Sequence, residues 1–181
     1  DMQHSPNCLE LYFQSDKPLN QNLLESLIIY WEKKDKEAKP DIIEATKRYC
    51  LDKRNYPSEI TLKLLKVSLL DDVMASIFSS QNLHEVLIDK ELLLENEGYR
   101  ICLQLLCTKS SHSKQHETLR SLLKLDINES FTILGELIYD ITMCIRSINK
   151  FSSNASNIGI VVQFFDRVYD CCNSTEQVNL F

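Results

Sequence analysis

The chain has 181 residues, of which 44% are hydrophobic and 25% charged, and a formal net charge of −6. That balance fits a folded domain rather than a disordered chain, and the negative charge argues against nonspecific binding to nucleic acid or an anionic membrane surface. Only three glycines occur, Gly98, Gly135 and Gly159. Hairpins, bulges and phosphate loops depend on glycine and helices lose stability from it, so the shortage predicts an all-α fold.

Residues 1–17 show no clear periodicity and read as an N-terminal arm; residues 18–174 read as one helical domain and 175–181 as a tail. Because the chain opens Asp1-Met2, it is read as a piece of a longer protein. The first helix is predicted from Leu23, Leu24, Leu27, Ile28 and Trp31, which fall on one helical face. A charged run from Glu32 to Lys39 ends it. Pro40 opens the second, with Asp41 in the first turn and an apolar stripe of Ile42, Ile43, Thr46, Tyr49 and Cys50.

Pro57 marks the next start. The stripe Ile60, Leu64, Leu65, Val73, Met74, Ile77 and Phe78 is helical, and Leu69-Leu70-Asp71-Asp72 leaves open whether it is one helix or two. Asn82 is placed to cap a short helix with Leu83, Val86 and Leu87, and Leu92-Leu93-Leu94 leads into a helix carrying Tyr99, Cys102, Leu103 and Leu106. The polar segment Lys109 to Gln115 is the best loop, followed by Leu119, Leu122 and Leu123 on a helix. Asp126 with Glu129 resembles a capping box before the stripe Phe131, Leu134, Ile138, Ile141, Ile145 and Ile148. Ser152 to Asn157 reads as a turn before a last helix with Ile158, Val161, Val162, Phe165, Val168, Tyr169 and Cys172.

About eight amphipathic helices result, starting near residues 19, 40, 57, 82, 95, 112, 127 and 157. Taken in pairs, the starts recur every ~35–40 residues, a rhythm that resembles HEAT or armadillo repeats. An irregular helical bundle gives the same pattern, so paired-helix solenoid and bundle stay open as alternatives. The bundle alternative resembles a compact viral or bacterial effector of Bcl-2 type, with Phe131 to Ile148 as its central helix and a groove for a host helix.

Seven cysteines, several on apolar helix faces, read as buried thiols of a cytoplasmic or nuclear protein. The sequons at Asn128, Asn154 and Asn173 occur about as often as chance predicts. No apolar run approaches the roughly 18 residues a bilayer span needs, and no signal peptide opens the chain, so a soluble protein without membrane contact is expected.

Cys102, Cys107, His112 and His116 offer zinc-ligand chemistry, but only four residues separate the two pairs. Five positions apart on a helix, the cysteines also point ~140° away from each other. Ser113 after His112 breaks the metalloprotease signature, and the spacing of the glycines excludes the Walker, dinucleotide and nucleophile-elbow motifs. His84 is read as a solvent-facing helix residue. Asp71 and Asp72 are read as the acidic start of a helix rather than as catalytic carboxylates. No catalytic residue, cofactor or metal is expected.

Charge is unevenly spread. Residues 71 to 97 carry Asp71, Asp72, Glu85, Asp89, Glu91, Glu95 and Glu97 against Lys90, whereas residues 109 to 124 carry Lys109, Lys114, Arg120 and Lys124 against Glu117. The expected function is a non-enzymatic scaffold or adaptor domain of a larger intracellular protein that holds a peptide, helix or subunit. Its candidate partner-binding residues are Asp71, Asp72, Glu85, Asp89, Glu91, Lys109, Lys114, Arg120 and Lys124. A nucleic-acid-associated helical repeat ranks third, after the effector-like bundle.

Overall fold

The computed structural model describes residues 20–34, 37–125, 133 and 135–141, and among these residues all regular structure is helical, with no strand. The α-helices are α1 (Gln21–Lys33), α2 (Pro40–Leu51), α3 (Glu59–Ser68), α4 (Asp72–Ser80), α5 (Leu83–Leu87), α6 (Lys90–Glu95), α7 (Glu97–Lys109) and α8 (His112–Leu123). A 3-10 turn, Lys53–Asn55, lies between α2 and α3, and residues 135–141 are also helical. The protein is all-α. Two compact units divide it, Asp1–Val86 and Leu87–Phe181.

In the first unit, the Asn20 side chain caps α1 by accepting from the Leu23 amide at 3.0 Å. The predicted stripe then buries Leu24, Leu27, Ile28 and Trp31. Pro40, whose fixed φ suits a first helical turn, starts α2, which buries Ile42, Ala45, Thr46 and Cys50. Helix α1 packs chiefly on α3, and α2 packs on both α3 and α4. Across the α1–α2 contact the buried Trp31 Nε1 donates to Thr46 Oγ1 at 2.9 Å, and that hydroxyl donates to the Ile42 carbonyl at 2.7 Å.

The last carbonyls of α2 find side-chain donors at the following corner. Asn55 Nδ2 donates to the Tyr49 carbonyl at 2.8 Å and the Tyr56 hydroxyl to the Cys50 carbonyl at 2.7 Å. These are groups that a helix end leaves without an intrahelical partner.

The stretch left undivided by its periodicity is two helices. Asp71 adopts an extended backbone, φ −84 and ψ 126, and caps α4 by accepting from the Met74 amide at 2.9 Å. A carboxylate that takes this amide replaces the helical partner, which ends α3 and restarts the helical phase. Of the stripe expected there, Met74 and Phe78 are buried, Ile77 is half-buried and Val73 is exposed.

Asn82, at φ 56, makes the left-handed turn out of α4. This is a position that usually falls to glycine and that asparagine also tolerates. The described glycines instead sit in helical segments, Gly98 in α7 and Gly135 at residues 135–141, and neither has a positive φ.

In the second unit, Asn96 separates α7, whose expected start lies near residue 95, from the short α6 that holds Leu92, Leu93 and Leu94. It ends α6 through its own amide, bonded to the Leu92 carbonyl at 3.0 Å, and starts α7 by accepting from the Tyr99 amide at 3.1 Å. Arg100 Nη1 donates to the Leu93 and Leu94 carbonyls at 2.8 and 3.1 Å, completing the end of α6. Helix α7 packs on α6 and α8, and none of residues 98–108 is exposed.

The expected 109–115 loop shrinks to Ser110 and Ser111, because α8 begins at His112. Gln115 belongs to that helix, is 1% exposed, and donates through Nε2 to the Cys107 carbonyl at 3.0 Å. A polar run misled here because its one long amide side chain finds a buried acceptor.

Leu119, Leu122 and Leu123 are buried as their spacing predicts. The starts expected near 127 and 157, the Asp126–Glu129 box and the last helix lie outside the described residues. Of the stripe after Phe131, Ile138 and Ile141 are buried, while Glu136, Tyr139 and Asp140 are exposed.

Replacing Thr46 with Val keeps the volume but leaves the buried Trp31 N–H without its acceptor, a loss expected to be about 1–3 kcal/mol. Urea unfolding should show the double variant W31F/T46V to be less destabilised than the two single losses added together. Strict additivity would mean that the hydrogen bond contributes nothing.

Candidate interaction surface

The surface is best built outward from Asp71. One carboxylate oxygen caps α4 and the other meets the ammonium of Lys34. Both side chains are mostly buried, at 18% and 15% exposure. The same ammonium lies 5.5 Å from the centroid of the Trp31 ring, within cation–π range. Burial alone would raise the Asp71 carboxyl, but the Lys34 ammonium and the Met74 and Val73 amides outweigh it and hold the group below its ordinary value.

The other sequence-predicted charges are placed by helix ends. Asp72 occupies the first position of α4, Glu85 the first turn of α5, Glu91 the first turn of α6 and Glu97 the first turn of α7. Asp89 caps α6 by accepting from the Leu92 amide at 3.2 Å. Lys109 lies in the last turn of α7 and Arg120 in the last turn of α8, which Lys124 follows as C-cap.

Four helices start inside residues 71–97, so the acidic run there follows the positive ends of helix dipoles, and the bases at 109, 120 and 124 follow negative ends. Lys114 pairs with Glu117 at 2.9 Å one turn along α8. Asp71, Asp72 and Glu85 belong to the first unit, and Asp89, Glu91, Lys109, Lys114, Arg120 and Lys124 to the second. Asp72, Glu85, Glu91, Lys109, Arg120 and Lys124 are exposed, whereas Asp71, Asp89 and Lys114 are partly buried.

A different feature emerges beside Asp71. Leu70 is 65% exposed and Val73 57%. A hydrophobic residue just before a helix cap often folds back onto the first turn, yet Leu70 stays in solvent. Beyond Asp72, α4 carries no charge at all, and its outward positions are Val73, Ser76 and Ser80 with Ile77 half-buried.

Other helices differ. The exposed positions of α2 include Asp41, Glu44 and Arg48, those of α3 Glu59, Lys63 and Lys66, and those of α8 Glu117 and Arg120. Sequence reasoning missed this face because Val73 and Ile77 were assigned to the core stripe. The signal that could have revealed it is the charge-free run from Val73 to Ser80.

No family model, curated protein or solved structure matches the chain.

Of the remaining candidates, the described cysteines and His84 are packed inward, and His116 is half-buried. Cys50, Cys102 and Cys107 are buried and carry thiols rather than disulfides. Cys102 and Cys107 leave α7 in different directions and are both covered, since α7 is enclosed along most of its circumference. His84, expected to face solvent, is 3% exposed. It shares the buried side of α5 with Leu83 and Leu87, while Glu85 beside it is exposed. Burial, then the Asp89 carboxylate and the Cys102 thiol, push the Tyr99 phenol above its usual range.

Two outcomes follow from these environments. Asp71 titrates lower in the folded chain than in the unfolded one, so its contribution is complete above the ordinary carboxyl value of 3.8 and disappears as pH falls through the lower folded value. In acid unfolding, Asp71→Asn should therefore flatten the stability loss below that pH. Asp71→Ala, which also removes the cap, should cost about 2 kcal/mol at neutral pH; an unchanged acid limb in Asp71→Asn would contradict the assignment. Separately, position-resolved mass spectrometry should find Cys50, Cys102 and Cys107 unlabelled by a water-soluble thiol reagent in native buffer and labelled once urea unfolds the chain. Rapid native labelling would show those sites to be open.

Proposed function

We propose that the chain is a non-enzymatic, intracellular protein-interaction domain whose partner docks on the outer face of α4 and the adjoining Leu70. The observation that carries this reading is the pairing of two largely exposed aliphatic side chains, Leu70 and Val73, with a helix face that has no charge beyond Asp72. Interface cores are depleted in charge and built around apolar anchors, whereas a helix that meets only water normally carries charged residues outward. Burying an uncharged face requires no desolvation of an ion, so association is favoured there over the neighbouring helices.

A paired-helix, HEAT- or armadillo-like arrangement draws its support in the first unit from the contacts of α1 with α3 and of α2 with α4, although α2 also packs on α3. Two stacked helical layers give contacts of this kind. The intracellular setting is supported by the three buried thiols. No helix among the described residues is long and apolar enough to cross a membrane.

A second reading, a compact bundle of Bcl-2 type that seats a partner helix, draws its support from α7. Within the second unit this helix, rather than residues 135–141, has the enclosed character expected of a bundle's centre.

The test is affinity capture from cell extract with the wild-type chain and the double variant L70E/V73E. Both substitutions lie in solvent, so the unfolding free energy from urea titration should stay within about 0.5 kcal/mol of wild type. Recovery of the captured partner should fall at least roughly tenfold, corresponding to ~1.4 kcal/mol. A partner that survives L70E/V73E but is lost on charge reversal of Lys109, Lys114, Arg120 and Lys124 would move the site to the second unit.

A further inference from the structure

We draw no further inference here: the strongest candidate, the uncharged outer face of α4 with Leu70 beside it, belongs to the surface already described, and nothing in the structure shows what covers it.

Discussion

The first unit is organised around the partly buried ammonium of Lys34, which meets Asp71 and lies over the Trp31 ring. A charge withdrawn from water is tolerable only when paired, and here the partner is a carboxylate that already caps a helix. Tyr30 meets the Trp31 ring edge-on at 5.5 Å, and the indole N–H is taken by Thr46. Helices α1, α2 and α4 are thus tied through four side chains, although α1 itself packs chiefly on α3. Moving Asp71 would uncap α4 and strand the lysine together, so the entry angle of α4 is tightly specified. That angle decides which side of α4 meets solvent.

The two units solve the problem of helix ends with different means. In the first, side-chain amides and hydroxyls of the α2–α3 corner reach back to α2 carbonyls, and Asn82 takes the one left-handed residue described outside glycine. In the second, Asn96 serves two helices at once and Arg100 reaches the end of α6 from within α7. A chain with three glycines has little access to the usual glycine-terminated helix, and Asn, Asp and Arg take over that role. The starts at 83, 90 and 97 are correspondingly crowded, whereas those of α1 to α4 fall at 21, 40, 59 and 72.

Much of the fold was legible in the residues, and the exceptions have identifiable causes. The stripes of α1 and α8 could be read because Leu24, Leu27, Ile28 and Trp31, and then Leu119, Leu122 and Leu123, recur at helical spacing, even though Ile29 is exposed and Thr118 buried. The division at Asp71 was not, because a single capping carboxylate shifts the phase without altering local composition. Gln115 and His84 were misplaced for a related reason: both are polar by type, and only tertiary packing turns them inward. The candidate surface was legible least of all. Val73 and Ile77 read as core by residue type, yet Val73 is 57% exposed and Ile77 only half-buried.

The same argument bears on how charge should be read in short-helix proteins. Where helices of five to nine residues follow one another, as α4 to α6 do, each start attracts acids within a few positions. An acidic run then reflects the density of helix starts and carries little information about a partner. The absence of charge has no such local cause, because neither end of a helix dipole requires serine or valine on the outer face. Solvation favours charge on every exposed helix face, and α2, α3 and α8 conform. The bare face of α4 departs from that tendency at the place where Lys34 and Asp71 fix the backbone, and a fixed, uncharged, partly aliphatic surface loses the least solvation and the least conformational freedom when it is covered.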